Sequence, residues 1–236
     1  MRRHAAPAAL LIQICAALAA TSLASDAPAL RQVLERFDAV QAEIQTLSAE
    51  FTETTESRLL TEAIVAQGRV FLTKPDSVRW EYSRPEEMSF VIREDEYTGY
   101  FPRRKQAERR DIHRWREQLF RFLGLGQAST ELEKFYDIRL GPEEEARPGR
   151  HLLVLDPKKS RVRKRMDAVR FWIDAASYLP VRVEYQAKSG NRRVIDFDRM
   201  TVNPELAANL YRMEIPAGVV VTNGFSALSG FSAATE

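Results

Sequence analysis

Residues 67–87 read QGRVFLTKPDSVRWEYSRPEE, and this stretch decides the fold. Val78, Trp80 and Tyr82 alternate with Arg79, Glu81 and Ser83, the period of a strand with one apolar and one wet face. Val70 and Leu72 form an earlier run, and Lys74-Pro75-Asp76 breaks the two apart. A half-greasy, aromatic-rich sheet with a basic residue at the break and no catalytic group nearby is what has to be explained.

Working outward, Leu30, Val33, Leu34, Phe37, Val40, Ile44 and Leu47 follow helical spacing from Ala29 to about Thr46. This predicts one amphipathic helix begun at Asp26-Ala27-Pro28. The period changes to two at Phe51-Thr52-Glu53-Thr54-Thr55, and after Pro85 at Met88, Phe90 and Ile92. Residues 97–101 and 106–112 form a hairpin across Pro102-Arg103-Arg104. Helical spacing interrupts once: Ile112, Trp115, Leu119 and Phe122, with Phe120 and Leu123 beside them, end at Gly124 and Gly126. A short helix opens at Ser129 or Thr130. Strands resume with Tyr136, Ile138 and Leu140, and His151 to Leu155 is apolar on both faces. Val169, Phe171 and Ile173, then Val181, Val183 and Tyr185, then 194–201, and last Tyr211, Met213 and Ile215 complete the series. About eleven strands at short spacing predict a mainly β (α+β) domain, one curled antiparallel sheet with an N-terminal helix and a central helical insertion.

The N-terminus has the pattern of a secretory signal. Met1-Arg2-Arg3 precedes an apolar run from Ala8 to Ala20, and Ser22 and Ala24 are a small pair for cleavage after Ala24, with Ala19 as second choice. The run is shorter than the roughly 20 residues a membrane-spanning helix needs. The expected organisation is a leader over 1–24 and one domain over 25–236, with 225–236 a loose tail. Losing Arg2 and Arg3 brings the 35 basic residues to parity with the 33 acidic ones. The only cysteine, Cys15, leaves with the leader, so no disulfide or cysteine metal site is expected.

Chemistry is sparse. His4, His113 and His151 are scattered and form no metal-ligand spacing. Gly224-Phe225-Ser226-Ala227-Leu228 lacks the closing glycine of a nucleophile elbow, and Glu143-Glu144-Glu145 reads as a solvated turn. No catalytic residue, metal or cofactor is expected. Two basic clusters, Arg103-Arg104-Lys105 with Arg109-Arg110, and Lys158-Lys159 with Arg161, Arg163, Lys164 and Arg165, read as solvated hairpin ends or as docking points for an anionic membrane surface or an acidic partner. Export argues against nucleic acid. The apolar supply exceeds what a few helices need to cover: it builds either an ordinary core or a cavity under a removable cover.

Gly68-Arg69-Val70-Phe71-Leu72-Thr73-Lys74-Pro75, followed by Arg79-Trp80-Glu81-Tyr82 and Pro85, resembles the LolA family of periplasmic lipoprotein carriers. Asp174 to Pro180, Ser189-Gly190-Asn191 and Ile215-Pro216-Ala217-Gly218-Val219 fit the same pattern, so the resemblance runs from Leu30 to Val221. It implies an unclosed antiparallel barrel with a helical lid over a hydrophobic cavity. It implies a monomeric carrier in the periplasm of a Gram-negative bacterium, taking acylated lipoproteins from an inner-membrane ATP-driven (ABC-type) exporter to an outer-membrane acceptor. The cavity would be lined by Val70, Leu72, Val78, Trp80, Tyr82, Phe90, Ile92, Tyr100, Phe171, Val183 and Tyr185, with Trp115, Leu119, Phe122 and Leu123 in the lid. Lys74 would be the latch at the rim, where the family commonly carries arginine; a lysine offers a point charge instead of a planar fork. Two other readings use the same cavity: a carrier of free lipids or glycolipids, and a lipoprotein-sensing regulatory domain.

Overall fold

A computed structural model describes residues 13–114 and 128–224. Helix α1 (Gln13–Glu43) leads into β1 (Thr46–Glu56), β2 (Ile64–Thr73), β3 (Ser77–Arg84), β4 (Met88–Arg93), β5 (Glu96–Phe101) and β6 (Gln106–Asp111). After residue 127 come α2 (Ser129–Glu133), β7 (Tyr136–Leu140), α3 (Glu143–Ala146), β8 (Arg150–Pro157), α4 (Ser160–Arg163), β9 (Met166–Asp174), β10 (Pro180–Ala187), β11 (Arg192–Val202) and β12 (Val220–Thr222).

The strands form one 12-stranded sheet in the order β12-β6-β5-β4-β3-β2-β1-β11-β10-β9-β8-β7. Every pairing is antiparallel, between chain neighbours and in the long-range pairing of β1 with β11, except β12 on β6, which is parallel. Strands β12 and β7 stay as free edges, so the sheet is an unclosed barrel, as expected. Its inner face is one continuous core: Trp80 from one half and Phe171 from the other belong to the same buried cluster. Strand β1 shows how the sequence produces this, since Leu47, Ala49, Phe51 and Glu53 are buried while the residues between them are half-exposed. Strand β8 is buried on both sides: Leu153 and Leu155 face the main core, and Leu152 and Val154 join Trp172 in a small outer cluster with Ala146 of α3.

Three expectations change. Helix α1 already runs at Gln13, where the described residues start, so Pro28 lies inside it and not at its entry; the alanine-rich stretch before Pro28 favours helix, and a missing proline N–H costs one hydrogen bond. Tyr211, Met213 and Ile215 are not a strand. Their segment straps the outer face of the sheet, with the Tyr211 hydroxyl 2.7 Å from Thr73 Oγ1 and Arg79 Nη1 donating to the Leu210 carbonyl at 3.0 Å. That alternation reflects packing on a surface, not a ladder. The strap carries the chain back to β6, where β12 pairs and brings the strand number to twelve.

Candidate functional site

The stretch around Trp80 sits at the centre of the inner face. Trp80 is fully buried, 4.7 Å from the Phe51 ring and stacked on Phe90 at 6.0 Å, with Phe197 edge-on at 6.2 Å. Phe90 continues to Tyr97 at 6.1 Å. An aromatic row therefore crosses the sheet from β11 to β5, its ring pairs in the tilted, edge and offset geometries that aromatics favour. The Trp80 indole Nε1–H is buried and has no hydrogen-bond partner among the described residues. Gly68 of β2 lets Phe51 close over the sheet: a β-carbon there would lie 2.8 Å from the Phe51 ring.

Among the described residues two helices cover this face. Val33, Leu34 and Phe37 of α1 and Leu132 of α2 belong to the buried cluster. Asp38 ties the two together, accepting from the Ser129 backbone N–H and from Ser129 Oγ, each at 2.6 Å. The far end of α1 is fastened to the sheet. Lys74 Nζ donates to the Gln41 carbonyl at 2.5 Å, and Asn203 Nδ2 donates to the Glu43 carbonyl at 2.9 Å. Both are among the last carbonyls of a helix, which have no partner within it. Asn203, in the left-handed region at φ 54, also accepts the Gln45 N–H at 2.7 Å. Partial burial holds the Lys74 ammonium below its ordinary pKa.

A charged group stands inside this greasy face. Glu53 Oε2 accepts from the Tyr82 hydroxyl at 2.8 Å and from Arg193 Nη2 at 2.6 Å. Burial, then the neighbouring Glu53 carboxylate, pushes the Tyr82 hydroxyl far up; burial does the same to Tyr185. Such a pair is costly to bury and tolerable only because the carboxylate has two strong donors.

Val70, Leu72, Val78, Trp80, Tyr82, Phe90, Ile92, Phe171 and Val183 are together in the buried cluster, with half-buried Tyr185 packed on it. Tyr100 is a correction. It faces the outer side, beside Arg79 and Glu81 in a polar groove of about 830 Å³ under the strap, and Tyr97 takes the inner position instead. The reason is strand parity: Tyr97, Gly99 and Phe101 point one way and Tyr100 the other, and Gly99 hides the alternation. Trp115, Leu119, Phe122 and Leu123 lie outside the described residues, as does any contact of theirs with Lys74. Sequence reading missed Phe51, Phe197 and the Glu53–Arg193 pair, although Glu53 shares the parity of Phe51.

Among the described residues no three His, Cys, Asp or Glu side chains could hold a metal ion. His113 lies 2.9 Å from Asp95, and His151 stacks on Tyr178. Among the same residues no helix is long and apolar enough to cross a membrane. What the face offers is apolar surface: burying an alkyl chain on it is worth about 0.8 kcal/mol per methylene.

Residues 42–214 match the family described as "Outer membrane lipoprotein carrier protein LolA". An outer-membrane lipoprotein carrier protein of Cupriavidus taiwanensis is 25% identical over 221 residues, covering 90% of this chain and 97% of the relative. A protein of the same name from Cupriavidus pinatubonensis is also 25% identical, over 222 residues. Among solved structures, an uncharacterized conserved protein from Thermus thermophilus superposes with a TM-score of 0.53 at 16% identity, over 82% of this chain and 98% of that one. That likeness concerns the fold alone.

Proposed function

The chain belongs to the LolA family, and from that premise we propose that it is a carrier that shields the acyl chains of lipoproteins on the inner face of its sheet. The observation that carries the reading is the continuous apolar face, crossed by the row Phe197, Phe51, Trp80, Phe90, Tyr97 and covered by α1 and α2. Cargo is bound, not transformed. The cover would have to lift for alkyl chains to enter, and Lys74 and Asn203 would be the fastenings at the hinged end of α1. In this reading the leader 1–24 is removed on export to the periplasm, and the carrier runs from an inner-membrane exporter to an outer-membrane acceptor; the relatives' name, outer-membrane lipoprotein carrier protein, supports the cargo class.

The test is native mass spectrometry of the mature protein purified from periplasm without detergent, then reloaded with a triacylated lipoprotein. A one-to-one complex with an acylated protein supports the reading. A small lipid adduct that a lipoprotein fails to displace would replace it with carriage of free lipid. A bare mass after reloading would overturn it.

A further inference from the structure

Three loops meet at the end of the sheet opposite Lys74. The β1–β2 hairpin tip spans residues 57–63, the β10–β11 turn 188–191, and the β8–β9 connection with α4 158–165. They are tied to one another. Ser57 Oγ donates to Asn191 Oδ1 at 2.9 Å, and the Lys188 N–H donates to the Arg165 carbonyl at 2.8 Å. The Arg58 side chain lies against Gly190, where a β-carbon would be 2.4 Å from Arg58 Nε. The three loops thus form one surface.

Its composition is unusual. Leu59 is 94% exposed, Leu60 40%, Ile64 47% and Val65 50%, so four aliphatic side chains face solvent on one hairpin. Single exposed apolar residues need no explanation, but a contiguous set does. The same surface carries Arg58, Arg161, Arg163, Lys164 and Arg165, all exposed and without an ion-pair partner among the described residues. The nearby acids are mostly engaged: Glu56 with Arg192 at 3.0 Å, Asp167 with Lys188 at 3.6 Å, Asp137 with Lys158 at 3.5 Å. Glu62 alone adds an exposed negative charge in the hairpin.

We propose that this end of the barrel docks on the surface of an anionic phospholipid bilayer, the cations on lipid phosphates and the tip of the β1–β2 hairpin in the headgroup–acyl boundary. Cations alone would serve an acidic protein equally well. Leu59 and Leu60 held out beside them fit the chemistry of an interface that is charged at its surface and apolar just beneath. The placement concerns the barrel's outer rim and does not depend on what the inner face carries.

The experiment is flotation of the mature protein with vesicles of phosphatidylethanolamine and phosphatidylglycerol, and with vesicles of phosphatidylcholine alone. Each basic residue near an anionic surface is worth roughly fivefold in partitioning. Arg161→Glu with Lys164→Glu should therefore lower binding to the anionic vesicles at least about tenfold, and salt should weaken the parent protein's binding. Leu59→Ser with Leu60→Ser should lower it severalfold at unchanged charge. All four side chains are exposed, so both double variants should melt with the parent protein. Equal binding to both vesicle types, or none to either, would overturn the proposal. So would binding that soluble polyglutamate competes away fully while the leucine variant stays unchanged, the result expected of an acidic protein partner. No cargo enters the assay, so its failure leaves the carrier reading standing.

Discussion

Lys74 Nζ lies 2.5 Å from the Gln41 carbonyl oxygen. The residue that breaks the run between β2 and β3 thus caps the last turn of α1, the helix that covers the inner face. A cation at a helix C-terminus meets both an orphan carbonyl and the negative end of the dipole. Lys74→Ala should cost about 1.5–3 kcal/mol, the range for hydrogen bonds to charged groups. It should speed amide exchange in the last turns of α1 more than in β1. Lys74→Arg should restore most of both. An unchanged melt and exchange pattern in Lys74→Ala would remove the fastening.

Gly68 is under a different constraint. A β-carbon there would sit 1.8 Å from the Glu81 carbonyl oxygen, a backbone atom that cannot step aside, and 2.8 Å from the Phe51 ring. Gly68→Ala should therefore separate β2 from β3 locally and cost about 1–3 kcal/mol, as overpacking does. Chemical denaturation of the variant reads this directly. A midpoint equal to the parent protein's would show that the two strands have room the structure does not display.

The strands were legible because an apolar alternation such as Val78, Trp80, Tyr82 has one cause, a buried face. The hairpin of β5 and β6 was legible from its turn residues. Tyr100 reads as inward from the sequence because Gly99 carries no side chain to mark the phase of β5. The strap at 211–215 was misread because a segment lying on a sheet alternates as a strand does, and only its partners, Thr73 and Arg79, tell the two apart. Strand β12 pairs in parallel with a strand more than a hundred residues earlier, a contact no local pattern announces. Glu53 was passed over because a charge on a polar-looking strand reads as solvated. Its parity with Phe51 was visible, but its partner Arg193 lies on β11, far along the chain.

Acid sensitivity has a defined source in the β9–β10 turn. Asp174 Oδ1 accepts from Ser177 N at 2.8 Å, Ser177 Oγ at 2.9 Å and Ala176 N at 3.1 Å. The Ser177 backbone N–H first, with the other donors, holds its carboxyl below the ordinary value of 3.8. A depressed folded pKa contributes stability that is full above 3.8 and is lost as pH falls through the lower folded value. Asp174→Asn should melt below the parent protein at pH 6, and the difference should shrink as both are acidified below pH 4. A gap that stays constant down to pH 2 would show that the charge is irrelevant to the turn.

The Glu53–Arg193 pair is more costly to disturb from one side than from both. Arg193→Met strands a buried carboxylate with two neutral hydroxyl donors, Tyr82 at 2.8 Å and Thr55 at 3.4 Å, and removing one partner of a buried pair costs about 3–5 kcal/mol. Glu53→Gln added to Arg193→Met should recover part of that loss, because the remaining group is neutral. Comparing the single and double variants in urea gives the coupling. Strict additivity would mean the two side chains do not depend on each other for their burial.

Trp80 separates a cargo surface from an ordinary core. It is fully buried at the centre of the aromatic row, so Trp80→Ala would leave a large hole and threaten the fold; Trp80→Phe is the better probe. Its indole N–H has no partner among the described residues, so the phenylalanine gives up volume but no protein hydrogen bond, at about 1–3 kcal/mol. Trp172 is the internal control, because it lies in the small outer cluster with its Nε1–H donating to the Glu145 carbonyl at 2.9 Å. An acyl probe carrying bromine on its chain quenches an indole only at contact. With Trp115 replaced by phenylalanine throughout, so that Trp80 and Trp172 are the remaining indoles, an alkyl chain on the inner face should leave quenching intact in Trp172→Phe and make it fall sharply in Trp80→Phe, with probe affinity down severalfold in the latter. Quenching retained in Trp80→Phe and lost in Trp172→Phe would put the chain on the outer face and leave the aromatic row as nothing more than core.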